Sequence, residues 1–253
     1  MQNIRWKPRV ASPSLRYVLA LASAPLLMFL LGAVERRHGA ALAGLLGATP
    51  LTIVLVVAGT SDTAIAAHAG AHVIAQVPFF LVFAAVATRR GMLAGLGAGS
   101  VAFAAISLAT APLGTAAATA AGAAALLLAG TRASSSTTSG GENRRSPALG
   151  AAVATGLVAT TLTAAALAGP ATAGTIAAFP ALSAALALAI ARERGPDAAA
   201  QALHGGVRGL RSYLAFCVVT PALGLVAGVA AALAVTVISG GLQRLTPAPA
   251  PAG

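Results

Sequence analysis

Long apolar runs without charge constrain this chain more than any other feature. From Ser212 to Gly240, 29 residues pass without Asp, Glu, Lys or Arg, and further apolar stretches of about 20 residues recur between short polar or Gly/Pro interruptions. A helix rises about 1.5 Å per residue and a bilayer's hydrocarbon core is about 30 Å thick, so each stretch is long enough to cross it. Within hydrocarbon every backbone N–H and C=O must find a partner inside the protein, which leaves helices or closed barrels. A barrel needs alternating segments of about ten residues with aromatic girdles. Here aromatic residues make up 4% of the chain, and the Ala/Leu/Val runs do not alternate. The expected fold is all-α, a polytopic transmembrane helical bundle whose first partner is the lipid bilayer.

Composition supports this. The 253 residues are 58% hydrophobic and 8% charged, with only 5 acidic side chains, too little polar surface for a soluble globule of this size. The net charge of +11 would point to nucleic acid in a soluble protein. In this chain most Arg sit in short loops between apolar runs, where they set orientation, and no nucleic-acid partner is expected. Cys217, the single cysteine, lies in an apolar run; it has no intramolecular disulfide partner and reads as a buried, inert thiol. The N-terminal "RWKPRV" looks like the start of a signal peptide, but "LGAVERR" offers no small-x-small cleavage site, so the first helix is expected to be retained.

The apolar pattern places spans at 17–34, 40–58, 64–87, 92–110, 112–130, 148–168 and 171–191. The 29-residue run would make a helix of roughly 43 Å, too long for one crossing. A break is expected at Pro221, with one helix from about Ala198 and a last one from Ala222 to Gly240. This gives about nine spans, or eight. The divisions are a basic tail (1–16), a first four-helix unit (17–110), a connecting helix (111–130), a polar linker (131–147), a second four-helix unit (148–240) and a Pro-rich tail (241–253).

The two units look like copies. Placing Pro50 on Pro180 also pairs Gly39 with Gly169, Ala43 with Ala173 and Gly44 with Gly174, without a gap. After a five-residue insertion Asp62 meets Asp197, and after one more His68 meets His204 and Gly70 meets Gly206. The whole chain has only 2 Asp and 4 His, so these matches carry more weight than those of Ala and Gly. Equivalent helices lie five spans apart, an odd number, so the copies are expected to be inverted. The loops agree: "ERRH" after the first span faces uncharged "AGP", "GTSD" faces "RERGPD", and "TRRG" faces the Arg-free turn at Thr220 and Pro221. Under the positive-inside rule this places 12 of the 16 Lys and Arg in the cytoplasm. Arg5, Lys7, Arg9 and Arg16, before the first span, oppose that orientation.

The stretch "AGTIAAFPALSAALALAIARERGPDAAAQALHGGVRGLRSYLAFCVV", Ala173 to Val219, resembles the GlpM-type bacterial inner-membrane proteins and related uncharacterised actinobacterial membrane proteins. The shared pattern is Ala-Gly, a few apolar residues, Phe-Pro, a continuing apolar helix, a short polar loop and a Gly-containing next helix. The first copy has Thr49 where the pattern has Phe. The resemblance covers about a fifth of the chain well. It implies a multi-pass protein of the bacterial cytoplasmic membrane, and one family member is linked to exopolysaccharide production. It carries over no catalytic residues.

Candidate functional residues fall into two sets. Gly44 with Pro50 and Gly174 with Pro180 form a helix-break motif: Pro removes a backbone hydrogen bond and frees a carbonyl, and breaks at corresponding places in inverted halves often mark a transporter's binding site. The bland alternative is that Gly allows close packing and Pro only kinks. The second set is polar. His68 and His72 share a helix face with Gln76, and no HExxH glutamate or nearby Cys turns the pair into a zinc site. Arg208 aligns with His72, with Arg211 three residues further on; both can snorkel or meet an anion. With His204 these residues outline a candidate solute path. Asp62 and Asp197 are expected at helix starts as caps. No Walker loop, GxSxG elbow or carboxylate pair is visible, so neither enzyme activity nor a cofactor is expected. Two roles remain open: a permease-like protein for a small solute, or an accessory subunit whose small-residue faces (Ala117 with Ala121; Gly224, Gly228 and Ala232) pack against a membrane partner or a second copy for cell-envelope or exopolysaccharide assembly.

Overall fold

In a computed structural model the protein is described over residues 13–129 and 147–245. The basic tail before Pro13, the polar linker before Pro147 and the Pro-rich tail lie outside the described residues. Every regular element described is helical: α1 (Pro13–His38), α2 (Ala40–Gly47), α3 (Leu51–Thr60), α4 (Ala64–Ala71), α5 (Val73–Arg90), α6 (Met92–Thr110), a single 3-10 turn (Ala111–Leu113), α7 (Gly114–Ala129), α8 (Pro147–Ala178), α9 (Ala181–Arg194), α10 (Pro196–Leu223) and α11 (Leu225–Leu245). Five stretches are long and apolar enough to cross a membrane: Tyr17–His38, Ala40–Thr60, Val73–Arg90, Met92–Ala129 and Ala154–Arg194. The protein is a membrane-type helical bundle.

Single glycines make several of the joins between helices. Gly39, Gly91, Gly114, Gly169, Gly195 and Gly224 all have φ between +72 and +90° with ψ near 160–180°. Only glycine enters this region without strain, so one residue redirects the chain with no loop. Gly169 makes such a turn inside α8. The Gly39 and Gly169 paired in the sequence therefore share a backbone conformation. The turn expected at Pro221 falls at Gly224 instead: α10 runs through Pro221 to Leu223, and the chain turns at the residue that takes φ +85°, which only glycine does without strain. The expected span 64–87 is also interrupted. At His72 the backbone tightens, with the His72 N–H on the Ala69 carbonyl and the Ala75 N–H on the His72 carbonyl, and α4 gives way to α5.

Packing crosses between the units. α2 lies against α10 and α4 against α8, while α1 touches α8, α5 packs on α6, and α10 on α11. The α2–α10 crossing is a backbone contact: a Cβ on Gly44 would overlap the Ala202 carbonyl, and Cβ atoms on Gly205 and Gly209 would overlap the carbonyls of Ala41 and Leu45. Such small-residue crossings drive association where lipid offers no hydrophobic gain. Gly174 sits at the matching α8–α4 crossing, where a Cβ would meet His68 Cβ and the Ala69 N–H. Gly44 and Gly174 lie within α2 and α8 and close helix crossings, the packing role weighed beside the break motif. Large apolar side chains point outward, including Leu19 and Phe29 on α1, Leu93 and Leu108 on α6, and Val226 and Val237 on α11. At one end of the bundle the Glu35 carboxylate, fully buried, takes an ion pair 3.2 Å from Arg194.

Candidate functional site

The site is built around two proline turns of nearly the same construction. Pro50 has φ −73° and ψ 30°; Pro180 has φ −81° and ψ 48°. Before each, the helix closes with a three-residue bond, Thr49 N–H to the Leu46 carbonyl and Phe179 N–H to the Ile176 carbonyl, both 3.1 Å. Across each, a tight bond spans the proline, Leu51 N–H to the Thr49 carbonyl at 2.7 Å and Ala181 N–H to the Phe179 carbonyl at 2.8 Å. After each, the next helix resumes on the proline carbonyl, through Val54 and Ala184 at 2.9 Å. Proline, lacking an N–H, forces the gap. The two gaps face one another across the bundle.

Each turn releases a carbonyl, and the other unit supplies its donor. The Gly47 carbonyl takes the Ser183 hydroxyl at 3.2 Å; the Ala178 carbonyl takes the Gln76 amide Nε2. Buried carbonyls without donors are costly in a membrane interior, so these bonds tie the turns together across the units. Thr49 Oγ1 adds a local bond to the Leu46 carbonyl at 2.6 Å. Phe179 has no hydroxyl; it packs edge-on against Phe79 and Phe103, with ring centroids 5.7 and 5.4 Å away.

Between the turns lies a cavity of about 30 Å³. Its walls are Gly47, Ala48, Thr49, Thr52 and Ile53 from the first turn and α3, Ala177 to Pro180 with Leu182 and Ser183 from the second turn and α9, and Gln76, Phe80, Leu157, Leu210 and Tyr213 around them. No charged side chain is in this lining. Two polar atoms of lining residues lack hydrogen-bond partners among the described residues, Gln76 Oε1 and the Tyr213 hydroxyl, although both residues are buried. The two side chains adjoin without the geometry of a hydrogen bond between them. The Gln76 amide is oriented by its bond to Ala178: the NH₂ must face that carbonyl, which turns Oε1 the other way.

Of the residues expected to form a solute path, only Gln76 lines this cavity. His72 bridges elements instead, with Nδ1 3.1 Å from the Ser107 hydroxyl on α6 and Nε2 2.9 Å from the Thr175 hydroxyl on α8. His68 is half-buried on α4 and packs against Gly174. His204 Nδ1 donates to the Ala200 carbonyl of its own helix at 2.8 Å. Arg208 and Arg211 are half-buried on α10 and outside the cavity wall. Pro180 lines the cavity, and Pro50 directs the residues before it there. Asp62 Oδ1 accepts the Ala64 N–H at 2.9 Å at the start of α4, as expected; Asp197 stands in the first turn of α10, whose N-cap is Gly195. Tyr213, Ser183 and Thr52 were missed. One signal was available: Tyr213 is one of 2 tyrosines and falls mid-run, away from the interfacial belts where Tyr normally sits.

Comparison with protein-family models, with curated proteins and with solved structures gives no match.

Proposed function

We propose that the chain is a permease-like protein of the bacterial cytoplasmic membrane, in which two inverted four-helix units, spans one to four and six to nine with the fifth between them, hold a solute site between facing broken helices. The observation that carries the reading is the pair of proline turns, each bonded by a side chain of the opposite unit across a shared cavity. Discontinuous helices at the interface of two repeats are where secondary transporters bind substrate. Irregular backbone at membrane depth is tolerated where it lines such a cavity. The nine-span reading is supported by the positive φ of Gly114, Gly169, Gly195 and Gly224, where the long helical stretches can be divided. The Glu35–Arg194 pair supports the orientation, because it brings the loops bearing Arg36, Arg37, Arg192 and Arg194 to one end.

The test does not require knowing the solute. A cysteine is placed at Ala177 in a Cys217→Ala background; Cys217 touches Gly70 through its Cβ, which alanine keeps. In oriented proteoliposomes, a membrane-impermeant thiol reagent is applied from one face and then the other. A permease opens the cavity alternately, so labelling proceeds from both faces. Protection from both faces would remove the permease reading and leave the accessory-subunit role.

A further inference from the structure

We infer that the occupant of the cavity between the proline turns is a small uncharged solute bearing an N–H donor, in the class of primary amides and ureas. This rests on the permease reading above and names its substrate class. Three observations carry it. The lining contains no charged side chain, and an ion in a low-dielectric interior needs an opposite charge to offset its lost hydration. The two unsatisfied polar atoms are neutral and buried. Their chemistry is directional: one N–H of the Gln76 amide goes to the Ala178 carbonyl and Oε1 is left without a donor, so a ligand N–H satisfies it, while the Tyr213 hydroxyl can donate or accept. An amide or urea offers a donor to Gln76 and a carbonyl to Tyr213.

Size agrees. A cavity of about 30 Å³ is far below the roughly 300 Å³ at which pockets for larger organic ligands begin, so the ligand has only a handful of heavy atoms. The rest of the wall, with Phe80, Ile53, Leu157 and Leu210, offers contact and no further polarity. Arg208, Arg211 and the three described histidines of the spans lie outside it, so the path expected from the rarer polar residues would select an anion, and the cavity selects against one.

The experiment uses the full chain with Cys217→Ala and a reporter cysteine at Ala177, in proteoliposomes, and compares probes of equal shape and different charge: acetamide with acetate, and urea with guanidinium. The inference expects acetamide and urea to slow thiol labelling, about threefold at a concentration twice the dissociation constant, and to cross the membrane faster than in protein-free vesicles, whereas acetate and guanidinium do neither. Tyr213→Phe removes only an unpartnered hydroxyl, so the protein should fold, and protection by urea should fall. Equal or better protection by the charged probes overturns the inference while leaving the permease reading in place, as does labelling from both faces that no probe slows. Unchanged protection in Tyr213→Phe, with altered stability alone, would assign Tyr213 and Gln76 to packing and overturn it as well. Failure to label from either face is the separate outcome that removes the permease reading itself.

Discussion

The turns at Pro50 and Pro180 share a backbone and differ in everything attached to it. Both place a proline after a closed helix end and restart on its carbonyl with bonds that agree to within 0.1 Å. Around the first, Thr49 caps its own helix with a hydroxyl bond and Ser183 reaches the Gly47 carbonyl. Around the second, Phe179 sits among aromatic rings and Gln76 reaches the Ala178 carbonyl. A local rule, proline's missing N–H, makes the turns alike. Long-range packing makes them unlike, and it is the unlike parts that give the cavity its one oriented acceptor.

The largest effects are expected where the two units cross. Gly44→Ala drives a Cβ deep into the rigid Ala202 carbonyl oxygen, whereas Gly174→Ala meets the Cβ of His68 at 2.6 Å and the backbone of Ala69 and Ile65 at 2.9 Å. Overpacking ordinarily costs about 1–3 kcal/mol. Gly174→Ala should fall in that range and Gly44→Ala above about 3 kcal/mol, because α2 cannot move from α10 without also losing its contacts at Gly205 and Gly209. Reversible unfolding in mixed micelles measures both. Equal losses would mean that the two crossings are interchangeable and the comparison holds more deeply than the contacts show.

A second test lies at the end of the bundle. In the register that pairs Gly39 with Gly169, the counterpart of Glu35 is Ala165, so the Glu35–Arg194 bond has no twin. Arg194→Ala leaves a buried carboxylate without that cation. Removing one member of a fully buried pair costs about 3–5 kcal/mol, and Arg194, 18% exposed, retains some water, so about 2–3 kcal/mol is expected here. Glu35→Gln with Arg194→Ala should recover part of it. A double-mutant cycle with no coupling would show that the pair does not join the units.

Between the turns the effects are smaller. Gln76→Ala strands the Ala178 carbonyl and empties part of the cavity wall, for about 1–2 kcal/mol; Ser183→Ala removes a longer bond and should cost about 0.5 kcal/mol. If the order reverses in the same unfolding assay, the first turn depends on the opposite unit more than the second does.

How much of this was legible in the sequence follows the same division. Gly39, Gly169, Pro50 and Pro180 could be read because glycine and proline act on their own backbone, and matching them across the chain exposes the matching turns. The apolar runs gave the helical bundle for the same local reason. The cavity could not be read this way. Thr52, Ser183 and Tyr213 are ordinary residues on separate helices, and only packing brings them together. Attention to the rare ionisable groups led to His72, which the structure uses as a bridge to Ser107 and Thr175, and to His204, bonded within its own helix. Gln76 was found because it shares a face with those histidines. Pro221 misled because the helix runs past it to Leu223 and the turn is made three residues on by Gly224, in a backbone region only glycine enters without strain.

The most discriminating prediction concerns the prolines themselves. Replacing either with alanine restores an N–H whose natural acceptor is the carbonyl four residues back. At the first turn that acceptor, Leu46, already holds both the Thr49 N–H and the Thr49 hydroxyl, so Pro50→Ala gains little and loses proline's restriction of the unfolded chain; a loss of up to about 1 kcal/mol is expected. At the second turn the acceptor is Ile176, bonded to the Phe179 N–H with no hydroxyl competing, so Pro180→Ala can straighten the α8–α9 junction and gain a helical bond of about 1 kcal/mol. The two substitutions should therefore move the melting temperature in opposite directions or leave Pro180→Ala near neutral. Straightening also carries the Ala178 carbonyl away from Gln76, so labelling of the Ala177 reporter should change in Pro180→Ala and stay as it was in Pro50→Ala. Identical behaviour of the two variants would mean that the turns are set by the surrounding helices and not by the hydrogen bonds at the prolines.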